Sequence, residues 1–520
     1  MNASVIIVGD ELEACVTACV LGWHGVKVML LRRSTGLLGG LSTRGGLSYM
    51  DLTPEFIPPM MQVILNEAGL KRVALHAETA DAVLKKRLAD ANVSVVSGVG
   101  TLSPLLEERV RERGGFSEPS LTSTPHPSPP LKGEGVISGI QDAHTQHVYT
   151  ADFYIDATPD ATLARQAGVP SMLGLGGVFG DDDAVTALGV SPVFRVAGLD
   201  YRSLQIAEEG LRHRADMPDL LATHMPWLSE VERHALIERP TYAPEASDYL
   251  DILNNVIGVA YHHWRYGDAR PSIAYESAPF WVDGFNIARL NDGTLGFNGL
   301  ITRMPLAEQV KASEEGLAPT ALILAEMLAF VDFLKEITQV NDLQLVPPEE
   351  LYIRQSFLLE AVENLSGRDL FLGGVDESES VGTFSYWLDF RGVHPWKAYP
   401  DLHPLPKPVF NVGLKPHFPK RIHNLAFVGR SSGFSPLSQG ACRIVQYGCL
   451  VGEALAHALA LGFKQGLHPL ALAPSVIYEA QARLADALAV ANPPRSAGVN
   501  TLNDTLAQSA LLARDEAIRI

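Results

Sequence analysis

Two sets of residues in this 520-residue chain have the types and spacing to do chemistry. The first lies in SVIIVGDELEA, where Gly9 breaks a β-branched run and Glu11 and Ala14 follow at the intervals of a Gly-x-Gly-x-x-Gly/Ala turn. Such a turn gathers free backbone N–H groups at a helix N-terminus, and the helix dipole there favours a pyrophosphate. Gly9 takes the first position and Ala14 the third, where alanine is tolerated. Glu11 takes the second, so a side chain crowds the approach and a carboxylate opposes the phosphate charge. The second set is acid–base in type: His262, His263, Tyr386 and His394, with His262 and His394 the candidates for proton transfer.

The elements that must position the first set are readable around it. Ser4 to Val8 reads as a strand, and Leu12, Cys15, Val16, Cys19, Val20 and Trp23 follow helical spacing with one face apolar. Gly25 ends that helix and Val26 to Leu31 forms a nearly all-apolar second strand, as in a parallel sheet covered on both faces. A ribose-binding acid belongs just after this strand, but Arg32 stands there, followed by Arg33. A guanidinium accepts no hydrogen bonds and suits a phosphate better, as in NADP binders. Gly39, Gly40 and Leu41, with Gly45 and Gly46, form a glycine-dense loop that lets backbone approach a ligand.

Further along, helices are expected at 54–68 and 78–92 and a strand at 93–99, so strands and helices alternate as in an α/β core. The Pro, Ser and Gly mixture at 114–135 reads as a disordered surface insertion in a β-meander that includes the strands GVISGI and HVYTADFYIDAT. Residues 191–404 mix strands such as VFRVAGL and GTLGFNGL with helices such as Leu317 to Ile337, and are rich in Trp, Tyr and His. The segment 422–462 returns to strand, glycine-containing loop and apolar helix, and 466–520 reads as a helical tail. Arg and Lys total 41 against 59 Asp and Glu, for a net charge of -18, which disfavours nucleic acid and anionic lipid as partners. Cys15, Cys19, Cys442 and Cys449 read as buried thiols on apolar helices, with no metal site. No basic-then-apolar leader and no uninterrupted membrane-length run is visible. A cytoplasmic monomer or homodimer acting on a small molecule, without nucleic acid or membrane, is the expectation.

Four separated segments resemble a known family. They are VIIVGDELEA through LLRRSTGLLGG, FYIDATPDATLARQAGV, LYIRQSFLLE, and NLAFVGRSSGFSPLSQGACRIVQYGCLVGEALA. In that order they are similar to the FAD-dependent oxidoreductases that share a glutathione-reductase-type flavin fold. The resemblance implies an α/β, Rossmann-like FAD/NAD(P)-binding domain, discontinuous over 1–190 and 405–465, with an inserted α+β substrate domain at 191–404 and C-terminal helices. It implies FAD contacts at Gly9, Glu11, Ala14, Arg32, Arg33, Gly39, Gly40, Leu41, Ala157, Thr158, Gly429, Arg430, Gly440, Ala441 and Arg443. Gly440 and Arg443 would open a helix pointing at the flavin, and Arg354 would face the flavin or a substrate carboxylate. The implied activity is hydride transfer from a small molecule to flavin N5. Pro159 replaces a family glycine. With Glu11 and Arg32 it leaves open a flavin-fold protein with weakened or lost FAD binding, acting as a non-catalytic binding protein, and Arg32 leaves open an NADP-preferring enzyme.

Overall fold

A computed structural model describes residues 2–70, 74–107, 135–179, 188–224, 229–238, 249–267, 280–391, 393, 405–498, 506 and 509–518, with 2, 249–255, 281–284 and 314–315 given by backbone alone. The segment 114–135, apart from Gly135, lies outside the described residues, as does His394.

Strand β1 (Asn2–Val8) is the middle of a parallel sheet, and its Val5, Ile6 and Ile7 are fully buried because both faces are covered. On one side β2 (Val28–Arg32) pairs with it in the register Val8↔Leu31, and β3 (Ser94–Ser97) pairs with β2. On the other side lies β6 (Val148–Asp156), in the register Val8↔Asp156, followed by the short strand Leu425–Phe427. All four pairings are parallel, so Gly9, Arg32 and Ala157 gather at one edge of the sheet. The earlier part of β6 turns antiparallel to β5 (Val136–Asp142), which pairs with β4 (Leu102–Glu107). Both meander strands recognised in the sequence thus follow the Pro-rich insertion, and β4 precedes it. Pro104 hid β4 from the sequence reading, yet proline is tolerated there because β4 is an edge strand.

Helix α1 (Leu12–Trp23) joins β1 to β2 and is buried from Leu12 to Leu21, so it is a core helix rather than a one-faced one. The helix Val445–Gln465 packs on it at close range. A Cβ on Gly452 would lie 2.2 Å from Thr17 Oγ1, and one on Gly448 3.2 Å from Glu13 Cβ. Glycine at both positions lets the helices touch. The tail helix Pro474–Leu488 packs outside this pair.

The middle of the chain builds a second, antiparallel sheet. Phe280–Arg289 lies between Tyr249–Asn254 and Leu295–Thr302, and the last of these also pairs with Val190–Ser191 and Phe194–Ala197. Gln344–Val346 and Tyr352–Ile353 complete it. Phe194, Phe285, Phe297, Phe330 and Tyr261 interlock in its core, with ring centroids 4.7–5.9 Å apart. Among the described residues no single helix is long and apolar enough to cross a membrane; Pro436–Cys442 and Val445–Gln465 pass that test only together, across an 87° bend.

Candidate active site and nucleotide cradle

The edge where β1, β2 and β6 end is built around Gly9. Its φ of +116° and its contact with Ala157, whose carbonyl oxygen would lie 2.2 Å from an added Cβ, leave no room for any other residue. Ala157 donates to Val8, and Thr158 binds the Asp156 carboxylate through both its N–H and its hydroxyl, at 2.9 and 2.6 Å. Burial raises the Asp156 carboxyl to about 6. Pro159 is held by Ser356, whose hydroxyl donates to its carbonyl at 2.6 Å.

Glu11 is the N-cap residue of α1, but its carboxylate accepts no hydrogen bond from the helix's own first N–H groups. Oε2 accepts from Leu41 N–H at 2.9 Å and Oε1 from Arg430 Nη2 at 3.2 Å. An added Cβ on Gly40 would lie 2.4 Å from Glu11 Cδ, so the glycine loop closes directly onto the carboxylate. Gly39 N–H binds the Asp10 carbonyl at 2.9 Å, fixing the loop there. Gly9, Glu11, Gly39, Gly40, Leu41 and Arg430 are therefore together, as the sequence suggests. What the glycines admit is a side chain of this protein.

The ribose position is filled in the same way. Arg32 Nε pairs with Asp10 at 2.8 Å, and its Nη2 donates to the Gly36 and Leu37 carbonyls at 2.9 Å each. Arg44 grips the same Asp10 with both terminal nitrogens, at 2.7 and 3.0 Å, and Glu350 with its Nε at 2.7 Å. Asp10, Arg32 and Arg44 are all buried, so their charges compensate one another. Arg33 is exposed beside them. Sequence reasoning missed Asp10 and Arg44, although opposite charges ending neighbouring parallel strands, as Asp10 and Arg32 do, are a signal that can be read.

Ala14 is fully buried in α1. Gly429, at φ +104°, passes over Glu13, whose Oε1 would lie 2.8 Å from an added Cβ. Burial, with Glu11's charge second, raises Glu13 to about 8.

At the far end the structure corrects the expected helix. Ser435 and Ser438 form a capping box and Pro436 takes the first helical position, so a short helix, Pro436–Cys442, already contains Gly440 and Ala441. Arg443 is its C-cap, Ile444 is extended, and the long helix begins only at Val445. The short helix's N-terminus is occupied by the tail: Asp515 accepts from Leu437 N–H at 2.9 Å, Gly367 N–H at 2.7 Å and the Ser435 hydroxyl at 2.7 Å. Gly440 admits Phe390, whose ring would lie 2.9 Å from an added Cβ. By contrast, no side chain caps the long helix at Ile444, and its first backbone N–H groups lack intrahelical partners.

That uncapped start opens on a cavity of about 350 Å³ against the second sheet, lined by Ile444, Val445, Gln446, Asn286, Asn298, Tyr352 and Arg354 and walled by Tyr386, Trp387 and Phe390. Tyr352 was missed in the sequence and is central here. Arg443 donates to its hydroxyl at 2.7 Å and the Arg354 guanidinium lies 4.3 Å from its ring centre. Burial alone would raise the Tyr352 phenol, but these two cations bring it below its ordinary value. Arg443 also pairs with Asp389 at 2.7 Å. Burial opposes the Asp389 charge, yet Arg443, Arg391 and Arg354 hold its carboxyl at about 2. Arg354 is 1% exposed and donates to Gly189 O at 2.7 Å and Ser191 Oγ at 3.0 Å. Burial lowers it to about 10. His262 does not join this site. It is fully buried on the helix Asn255–Tyr266, its ring centroid 4.9 Å from that of His224, and burial lowers it to about 4.

The family model for FAD dependent oxidoreductases matches residues 4–484. The chain belongs to this family. It is an FAD-dependent enzyme of Rossmann-like α/β fold, with FAD as cofactor. Solved structures similar to this FAD dependent oxidoreductase include Thermovibrio ammonificans THI4, at 19% identity over 34% of this chain and 66% of that one, with a TM-score of 0.23. A geranylgeranyl bacteriochlorophyll reductase-like protein from Thermoplasma acidophilum is 10% identical over 94% of this chain and 84% of that one, with a TM-score of 0.38. The myxobacterial chondrochloren halogenase CndH is 12% identical over 93% and 78%, with a TM-score of 0.41. No curated relative matches the chain.

The residues fit FAD unequally along its length. Around Glu11, Leu41 N–H and Arg430 already hold an anion beside the uncapped α1 N-terminus, so the cradle suits a pyrophosphate once Glu11 turns away. At the β2 end no carboxylate is free for the ribose, because Asp10 is committed to two arginines. At the Val445 helix no side chain among the described residues caps the start, which lines the cavity.

Proposed function

We propose that this oxidoreductase takes a hydride from a small organic molecule held in the 350 Å³ cavity, with Tyr352 accepting the accompanying proton. The observation that carries the reading is the uncapped start of Val445–Gln465 opening on that cavity. FAD, when bound, supplies the hydride acceptor. Arg443, Val445 and Gln446 lie at the place where a helix N-terminus favours growing negative charge. Tyr352 is within reach of anything in the cavity, and the two arginines favour its deprotonated form. Asp389 holds Arg443 against the phenol, and so acts through it. Arg354 takes the substrate-facing role; His262 has none.

The test is the colour and reactivity of the purified protein. Release of FAD on denaturation, and anaerobic bleaching of the flavin absorbance by members of a panel of alcohols, amines and acids, are the expected results. A colourless protein that takes up no added FAD sinks the proposal. The Glu11 contacts with Leu41 and Arg430 favour a second reading, a flavin-fold binding protein with weakened FAD affinity, and the same colourless outcome supports it. The NADP alternative has less behind it, since Arg32 spends its nitrogens on Asp10, Gly36 and Leu37.

A further inference from the structure

The helix Ala510–Ala517 lies beyond the residues that match the family, yet it is built into the wall of the cavity. Leu511 and Leu512 are buried in a cluster with Phe371, Leu437 and Phe390, and Phe390 lines the cavity. Asp515, on the same helix, is fully buried and accepts from Gly367 N–H, the Ser435 hydroxyl and Leu437 N–H. An added Cβ on Gly367 would lie 2.5 Å from Leu437 Cβ and 3.1 Å from Asp515 Oδ2, so glycine lets both segments close on the carboxylate. A carboxylate without water is costly, and these donors offset that cost only while they stay in place. Asp515 therefore fixes the segments that carry them.

One of those segments is the short helix Pro436–Cys442. Asp515 holds its first turn, and Gln439 in its middle is tied to Gln355 at 2.9 Å and to the Ser356 carbonyl at 3.3 Å. Its C-cap, Arg443, comes six positions after Leu437, about 9 Å along the helix, and donates to the Tyr352 hydroxyl. We propose that Asp515 is a positioning residue, which sets the short helix from outside the matched part of the chain so that Arg443 meets Tyr352. This rests on Tyr352 being the proton acceptor. The phenol faces Arg443, Arg354, Arg430 and Asp389, and shares the cavity with Asp51, Tyr386 and Arg391. Of these, only Arg443 ends the helix that Asp515 holds. A charge-assisted hydrogen bond weakens steeply once its distance and angle are lost, so a loosened helix withdraws the phenolate's nearest cation.

The phenol itself reports the effect. Tyrosinate absorbance is titrated in the native chain, Asp515→Ala and Asp515→Asn, each against the same chain carrying Tyr352→Phe, so that the difference isolates one phenol. Asp515→Ala should raise the Tyr352 midpoint by about one pH unit, and Asp515→Asn, which keeps an acceptor for Leu437 N–H, should raise it less. A folded Asp515→Ala with a lower melting temperature but an unmoved phenol overturns the proposal, because the tail then only stabilises the fold. A second measurement needs no variant. In native-state hydrogen exchange, peptides covering 436–443 and 510–517 should open together. Exchange of 510–517 well ahead of 436–443 overturns the proposal as well. Neither FAD content nor turnover enters these outcomes. A native Tyr352 that ionises in the ordinary tyrosine range refutes the proton-acceptor reading alone, and an upward shift from that value in Asp515→Ala would still support the tail's hold on Arg443.

Discussion

Two helix N-termini meet the nucleotide side of this molecule, and they are finished differently. At the start of Leu12–Trp23 a carboxylate of the chain, Glu11, stands at the N-cap without capping the helix. It is held instead by Leu41 N–H and Arg430, so a negative charge of the protein occupies the approach an outside anion would use. At the start of Val445–Gln465 no carboxylate among the described residues stands at the cap, and the start of the helix lines a cavity. The physical capacity is the same in both places, since every helix begins with unpaired N–H groups and a partial positive charge. The difference lies in one side chain. Replacing a glycine by glutamate converts an external anion site into an internal one, whereas an isoleucine at the cap leaves the site open.

The contrast can be broken most sharply at the open end. Tyr352→Phe should lower turnover about a hundredfold or more while FAD content stays unchanged, and the acid side of the pH–rate profile should flatten because the titrating phenol is gone. Steady-state kinetics across pH would check this, and native-like turnover would remove Tyr352 from the chemistry.

At the closed end Glu13 gives a pH prediction. Its folded value, about 8, lies above the ordinary 4.5, so the folded state holds the proton. The carboxyl's contribution to stability is complete below 4.5 and is lost as pH rises through about 8. Glu13→Gln has no proton to lose. Denaturant unfolding should find it roughly 1–3 kcal/mol more stable than the native chain above that pH and nearly equal near pH 5. A difference that does not grow with pH would mean Glu13 is ionised in the fold.

Glu11→Gln should tighten FAD binding about tenfold, read from quenching of FAD fluorescence, because the cradle loses its competing charge while the side chain's shape is kept. Weaker FAD binding would show that Glu11 supports the cofactor rather than displacing it. The smallest effect belongs to His262→Phe. Buried in the helical layer behind the second sheet, it should change turnover by no more than about twofold, and a larger loss in a folded variant would return it to the site.

What could be read in the sequence follows from how local each feature is. Gly9, the apolar face of α1 and the all-apolar β2 are short-range patterns, and the parallel unit they imply is present. Arg32 reads as a lost ribose acid from its position alone. That it serves Asp10 requires knowing that the two strands lie side by side. The helix break at Ile444 was hidden because Pro436–Cys442 and Val445–Gln465 run together as one apolar stretch, and only Ile444's extended backbone separates them. Tyr352, Arg443 and Asp389 had no shared motif, since three distant segments bring them together. His262 drew attention by type, and its burial beside His224 decides against it.

The contact between α1 and Val445–Gln465 also bears on how the chain acquires its structure. His24, the C-cap of α1, and His457, in the middle of the long helix, touch at 2.7 Å across 433 positions of sequence. α1 is synthesised well before its partner, so one face of it waits for a helix made more than four hundred residues later. Contacts of such separation fold slowly, and the apolar surface meanwhile exposed favours aggregation. A ribosome stalled before residue 425 should therefore carry a nascent chain whose α1 is protease-sensitive and chaperone-bound, with protection appearing only once residues 445–465 have left the tunnel.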